Sequence, residues 1–262
     1  MKYIELTYWQ VAVAASLIVL NAIISFAMRL RLEKMLAVAA LRTVVQLLLV
    51  GMVLQWIFDW ERWYVVIGIA IAMTLIAGLA SARRSERRYP GIFLNAIVSV
   101  WVSSWFVTAF ALFAVLRGME HWYQPQYAIP LLGMVLGNTL NGISIGLNSF
   151  TEALVVRRGE VESLLALGAT RYEAARGLMQ SSIRSGLIPI LNSMMLVGIV
   201  SLPGMMTGQL ISGMPPVEAV KYQIVIMFLI AGATILGTFG IVYLSYRRLF
   251  NEHHQFRSDL IQ

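Results

Sequence analysis

The sequence predicts an all-α integral membrane protein, and three observations carry that prediction. Apolar runs longer than the roughly 18 residues at which a membrane span becomes the default reading recur along the chain. Of 262 residues, 59% are hydrophobic and 13% charged, with a mean hydropathy of +0.75; soluble domains carry roughly 25% charged residues. The basic residues cluster between the apolar runs, mostly on alternate loops. In hydrocarbon every backbone N–H and C=O must be satisfied internally, which leaves helices or a closed barrel. Barrel strands alternate over about ten residues, and residues 12–24 and 47–57 do not. Helices are therefore expected throughout, as one transmembrane domain over residues 1–262.

About seven spans are expected. The first, 8–28, is followed by Arg29, Arg31 and Lys34; the second, 35–58, carries Arg42 and Gln46. The third, 64–80, precedes Arg83, Arg84, Arg87 and Arg88, and the fourth is 91–116. The fifth, 128–150, is glycine-rich, and a long helical connector, 151–185, separates it from the sixth, 187–212. The seventh, 222–246, is followed by Arg247, Arg248 and Arg257. With Arg157, Arg158, Arg171, Arg176 and Arg184 of the connector, fifteen of the twenty Lys and Arg residues lie on alternate loops, while the opposite loops hold Arg62 and Arg117. The positive-inside rule then places the N-terminus outside and the C-terminus in the cytoplasm. Trp9, Trp56, Trp60, Trp63, Tyr64, Trp122 and Tyr123 sit near expected outer ends, where interfacial anchors belong. The start of the chain does not read as a cleavable leader: Glu5 offsets its one Lys and no small-residue cleavage site follows. Orientation in the bilayer, rather than nucleic acid, accounts for the net charge of +7. No cysteine is present, which excludes disulfides and thiolate metal sites.

The connector is the most informative segment. Thr170-Arg171-Tyr172-Glu173 is a capping box, in which the Thr hydroxyl takes the N–H three residues on and Glu173 reaches back. A helix should start at Arg171, with Tyr172, Ala175, Met179 and Ile183 on one stripe. Before it, Val161, Leu164 and Leu165 form a short apolar face, and Gly168 permits a sharp turn. A helix–glycine turn–helix of this kind presents a knob to a soluble partner; the other reading is a helix pair lying on anionic lipid through its arginines.

Within the spans, Arg42 and Gln46 share a face; Arg42 either snorkels to the headgroups or faces a wet cavity. Asn138 and Asn141, among Gly133, Gly137, Gly142 and Gly146, read as packing glue or as pore lining. Pro203-Gly204 breaks the sixth span, and broken helices often line a substrate path. Met205 and Met206 follow, with Met194 and Met195 upstream; thioethers suit soft ions such as Cu(I) but are also ordinary core filler. His121 and the pair His253-His254 are weak metal signals. A partner-independent channel or ion-coupled carrier is the alternative reading; no Asp or Glu lies inside a span away from its ends, which argues against a carrier with acidic relays. No nucleophile, base and metal set is clustered, so an enzyme is not expected.

Several blocks resemble one family. Glu162, Gly168 and Ala169 match the loop with which ABC-transporter permeases engage their ATPase subunits. Gln46 and Gly51, Gly133-Met134, Gly137-Asn138, Leu167 to Thr170, Ser201-Leu202-Pro203-Gly204-Met205-Met206-Thr207-Gly208 and the stretch Pro216 to Ile224 resemble the FetB-type permeases, bacterial ABC membrane subunits implicated in iron export. Plant aluminium-tolerance half-transporter subunits are relatives. The importer loop has a Leu-Pro soon after its glycine; here the next proline is Pro189, which points to the family's own form. The resemblance implies a permease exporting iron, in a bacterial cytoplasmic membrane, as a homodimer. It implies a separate ATPase that holds ATP and Mg, since no G-x-x-x-x-G-K-[ST] occurs here. ATPase coupling would fall to Glu160, Glu162, Leu164, Leu165, Gly168, Ala169, Thr170 and Arg171. The translocation path would fall to Arg42, Gln46, Asn138, Asn141, Pro203, Gly204, Met205 and Met206. No metal ligand is assigned, and no nucleic acid is expected as a partner.

Overall fold

The computed structural model describes residues 7–60, 62–115 and 123–261. Its helices are α1 (Tyr8–Ala27), α2 (Glu33–Trp60), α3 (Trp63–Arg83), α4 (Ile92–Phe110), α5 (Pro125–Val156), α6 (Arg158–Ala166), α7 (Arg171–Leu196), α8 (Gly204–Ile211) and α9 (Pro216–Leu249). A π-helical turn, Ala111–Val115, continues α4, and a 3-10 turn covers Ser258–Leu260. Among the described residues pairing of the β type is confined to two isolated bridges, Val197 with Ser201 and Phe250 with Phe256. Arg117, His121 and Trp122 lie outside the described residues, as do Glu5 and the side chain of Trp60.

Among the described residues six helices are long and apolar enough to cross a membrane: α1, α2, α3, α4 with its π turn, α5 and α9. The sixth expected span, 187–212, does not form as one helix. Its first part is the end of α7, a 26-residue helix that begins at Arg171. Arg171, Glu173, Arg176 and Arg184 dilute the apolar character of this helix, so charge pattern alone cuts it in two where the backbone does not. The helix ends at Leu196, and Gly198, at φ +84°, turns the chain. The break therefore starts well before Pro203, whose carbonyl accepts from Thr207 N–H at 3.0 Å and so opens α8. The expected connector 151–185 is likewise no separate element. Residues 151–156 complete α5, with Thr151 and Leu154 buried.

The chain divides into two compact units, one comprising the α1–α2 hairpin with Ile211–Gly213 and the other the remaining elements. In the first, Ser25 is buried; its hydroxyl donates to Glu33 at 3.0 Å and accepts from Leu32 N–H at 3.1 Å, closing the turn between α1 and α2. The outer surface of both helices is apolar and exposed, as at Leu17, Ile23, Leu41 and Leu47. Such a surface is at home against lipid or another apolar helix.

In the second unit α5 is central, packed against α3, α4, α7 and α9. Ile143, Leu147, Phe150 and Leu154 line its buried side, all inaccessible to solvent. Between apolar helices in a bilayer the hydrophobic drive is absent, and close backbone approach through small residues supplies the contact instead. Gly142 and Gly146 of α5 meet Gly186 of α7 and Thr234 and Thr238 of α9 in this way. A Cβ on Gly186 would stand 2.7 Å from the Gly142 carbonyl oxygen and 2.6 Å from Thr238 Cγ2. Gly186→Ala should therefore cost about 1–3 kcal/mol, the usual range for overpacking, visible as a lowered melting temperature in detergent. Gly51→Ala, where nothing stands within 4 Å of an added Cβ, should not lower it, since alanine is the better helix former.

Candidate functional site

Three regions of the second unit carry the candidate residues other than Arg42 and Gln46. The first is the turn between α6 and α7. Gly168 N–H donates to Leu165 O at 3.1 Å and Ala169 N–H to Leu164 O at 3.0 Å, with Gly168 at φ +93°. This is the Schellman arrangement, in which a left-handed glycine satisfies the last carbonyls of a helix. Two residues later the capping box starts α7. Thr170 Oγ1 accepts from Glu173 N–H at 3.3 Å, and Glu173 Oε2 accepts from Thr170 N–H at 2.8 Å. These bonds, the Thr170 backbone first and its hydroxyl second, hold the Glu173 carboxyl below its ordinary value.

Val161, 1% exposed, anchors α6, and Leu165 packs partly on the core. Leu164 is exposed, and Leu167 at the tip is 86% exposed. Glu162 pairs with Arg158 of its own helix, and Glu160 with Arg157, the residue just before that helix, each at 2.7 Å. On α7 the buried stripe is Ala174, Ala175, Leu178, Met179, Ser182, Gly186 and Ile190, so Ala175 and Met179 face inward as the spacing predicts. Tyr172 instead lies exposed with its ring 6.5 Å from that of Tyr246.

The C-terminal segment, which the sequence left without a role beyond a weak histidine signal, docks here. His254 Nδ1 accepts from the Arg171 N–H at 3.0 Å, and Arg171 Nη1 donates to Asn251 O at 3.0 Å. Phe250 and Phe256 stack at 5.2 Å, and Leu260 and Ile261 pack on the core. Between this segment and α6 lies a polar hollow of about 660 Å³, with Glu162, His253, Arg257 and Asp259 among its walls.

The second region is the polar face of α5. Asn138 Nδ2 donates to the Met134 carbonyl of its own helix at 2.9 Å rather than across helices, while Asn141 Oδ1 accepts from Arg84 Nη1 at 2.7 Å. Further along the same face, Asn148 Oδ1 accepts from Glu86 N–H at 3.0 Å and Glu152 pairs with Arg87 at 3.1 Å. The α3–α4 loop thus lies along α5, and Arg248 Nε donates to Pro90 O at 3.1 Å from α9. Tyr89 in that loop bonds Ser245 at 2.8 Å; burial, its largest influence, raises its phenol above the ordinary value, so the hydroxyl stays neutral. These contacts bring the arginines after α3, the α6–α7 turn and the C-terminal segment to one end of the unit. Asn148 and Glu152 were missed in sequence, although they follow Asn141 by seven and eleven residues, about two and three helical turns along the same face.

The third region is the α7–α8 break. Met205 and Met206 do not form one cluster with Met194 and Met195. Met206 and Met194 share a crevice with Met227, whereas Met205 lines a small separate cavity with Met134 and Tyr222, and Met195 is 66% exposed. Pro203 and Gly204 form the entry to α8. Arg42 and Gln46 lie in the first unit, exposed on one face of α2. Among the described residues no group of three or more His, Asp or Glu could hold a metal ion.

Long apolar helices joined by short turns, with one helical knob at an end rich in arginine, define a multi-pass integral membrane protein. The chain belongs to the family described as "Uncharacterised protein family (UPF0014)", which it matches over residues 8–250. It is 39% identical, over 82% of both chains, to the UPF0014 membrane protein slr1647 of Synechocystis sp. (strain ATCC 27184 / PCC 6803 / Kazusa). It is 32% identical to the "Probable iron export permease protein FetB" of Escherichia coli (strain K12), over 96% of this chain and 95% of that one. It is 30% identical to the Arabidopsis thaliana "Protein ALUMINUM SENSITIVE 3", over 95% of this chain and 89% of that one. The resemblance read from the SLPGMM block is therefore confirmed. No solved structure matches.

The cap on α7 makes a pH-dependent prediction. Because the folded Glu173 carboxyl titrates below its ordinary value of 4.5, its stabilisation is complete above that pH and fades as pH falls through the lowered folded value. Amide protection factors at Glu173 and Ala174, taken relative to the intrinsic exchange rate at each pH, should fall over that acid window, and Glu173→Gln should remove that fall. Thr170→Ala should cost about 1 kcal/mol at neutral pH in the same measurement.

Proposed function

We propose that this chain is the membrane-spanning permease subunit of an ABC transporter, driven by a separate ATPase subunit that binds ATP and Mg. The observation that carries the reading is the α6–α7 knob: a Schellman turn and a capping box back to back, with Leu167 bare at the tip. A helix pair lying on lipid would not need a doubly pinned turn. A protein partner does, because a rigid apolar tip loses little side-chain freedom on docking. Glu160, Glu162, Leu164, Leu165, Gly168, Ala169, Thr170 and Arg171 form the proposed docking surface. The excess of arginine at that end supports a cytoplasmic side for it, and the C-terminal segment lies beside it.

From the knob, α7 runs as one helix to the break at residues 197–203. Movement of the ATPase would reach the core along it and rearrange the polar face of α5, with Asn138 and Asn141, against the Pro203-Gly204 entry of α8, where Met205 and Met206 sit. Arg42 and Gln46 on α2 are the remaining path candidates. Seven crossings give the N-out, C-in orientation, with the end of α7, the break and α8 together making the sixth. The exposed apolar faces of α1 and α2 suit lipid and a second copy of the chain. Iron export, named for the Escherichia coli relative, is the proposed activity, and a bacterial cytoplasmic membrane the proposed location.

The test is affinity purification of the tagged chain from native membranes with ATP hydrolysis assayed on the eluate. Wild type should bring down an ATPase subunit. Gly168→Val should reduce its recovery at least tenfold: with nothing within 4 Å of an added Cβ, the damage is the strain of a β-branched residue at positive φ, roughly 1–2 kcal/mol. An eluate from wild type without ATPase activity would refute the reading and favour a partner-independent channel.

A further inference from the structure

At the break between α7 and α8 a crevice of about 340 Å³ opens against α9. Met194 comes from the last turns of α7, Met206 from the first turn of α8, and Met227 from α9. Gln223 lies one helical turn before Met227 on the same face of α9. It is 6% exposed, and its Oε1 is buried with no hydrogen-bond partner. A buried acceptor without a donor is destabilising, so this amide is not explained by packing. Gln223 thus sets an unpartnered amide oxygen in the wall of a crevice whose other long side chains at the break are methionines.

The side-chain heteroatoms around the crevice share one property. Three thioether sulfurs and an amide oxygen are all uncharged lone-pair donors, and no carboxylate or basic group lines the space. A divalent or trivalent ion buried there would have no counter-charge, which is prohibitive away from water. Thioethers are soft ligands that favour Cu(I)-type ions and bind ferric iron poorly. Methionine side chains have three rotatable bonds each, so sulfurs from three helices can close on an ion much smaller than the crevice.

We propose that this crevice binds a soft monovalent cation of the Cu(I) or Ag(I) type through the thioethers of Met194, Met206 and Met227 and the Gln223 Oε1. The site goes beyond the permease reading, since it is assigned from its own ligands and its occupancy needs neither ATP nor a partner. Failure of the site would leave ATPase docking untouched, and absence of an ATPase would leave the site standing.

The experiment uses the full chain in detergent, titrated with silver nitrate in chloride-free buffer and followed by calorimetry and by the methyl resonances of 13C-methionine. Saturable binding of one Ag(I) per chain is expected, shifting the Met194, Met206 and Met227 methyls, assigned by single Met→Leu variants. Met206→Leu and Met227→Leu conserve volume and should each weaken binding at least tenfold; the double variant and Gln223→Leu should weaken it further than Met195→Leu, which should not change it. A folded wild type with no saturable binding would overturn the proposal. So would unchanged affinity in the double variant, or shifts confined to other methionines, which would move the ion to those side chains.

Discussion

The close approach of α5, α7 and α9 at Gly142, Gly146 and Gly186 is the contact on which the rest of the second unit depends. At this crossing backbone meets backbone, and the added atoms of even one alanine would collide with a carbonyl and a threonine methyl. Thr139, Ser182 and Thr238, buried close by, have hydroxyls without a partner, so packing rather than hydrogen bonding holds the crossing together. Packing energy of this kind falls steeply with separation. The three helices are therefore fixed closely where they cross and less closely towards their ends. Those ends are where the α6–α7 turn, the α3–α4 loop and the α7–α8 break lie.

At the arginine-rich end, polar contacts take over from packing. The α3–α4 loop bonds α5 through Asn141, Asn148 and Glu152, and the C-terminal segment completes the cap of α7 through His254. The Arg87–Glu152 pair is partly exposed, and such pairs contribute little each. A set of weak, separable contacts around a doubly capped turn suits a surface that must hold its shape while tolerating movement. The proposed ATPase would meet a stiff tip on a yielding surround.

Much of this was legible in the sequence. The Thr170–Glu173 box and Gly168 give their backbone roles locally, because a cap and a left-handed turn are properties of a few neighbouring residues. Long apolar runs gave the helices of α1 to α5 and α9 for the same reason. The sixth span was misread because its start was judged by charge: the arginines of α7 lie on one continuous helix, and hydropathy has no means of seeing that continuity. The break was placed at Pro203 because proline is the visible breaker, whereas Gly198, with positive φ, turns the chain earlier. The methionines were grouped by proximity in sequence. Adjacent residues on a helix face directions about 100° apart, which is why Met205 and Met206 line different cavities. The role of His254 depends on a contact across 83 positions, beyond any local signal.

The position of Gly186 along α7 sets a mechanical ratio. Arg171 lies fifteen residues to one side of it, about 22 Å at 1.5 Å per residue, and Leu196 ten residues to the other, about 15 Å. Pinned at the crossing and helical from end to end, with Pro189 as the soft point of its shorter arm, α7 would act as a lever with unequal arms. A push of about 3 Å at the capped end would arrive at the break as about 2 Å in the opposite sense, from the same rise per residue. Displacement is traded for force in that direction, so a small, strong motion would be delivered next to the methionine crevice.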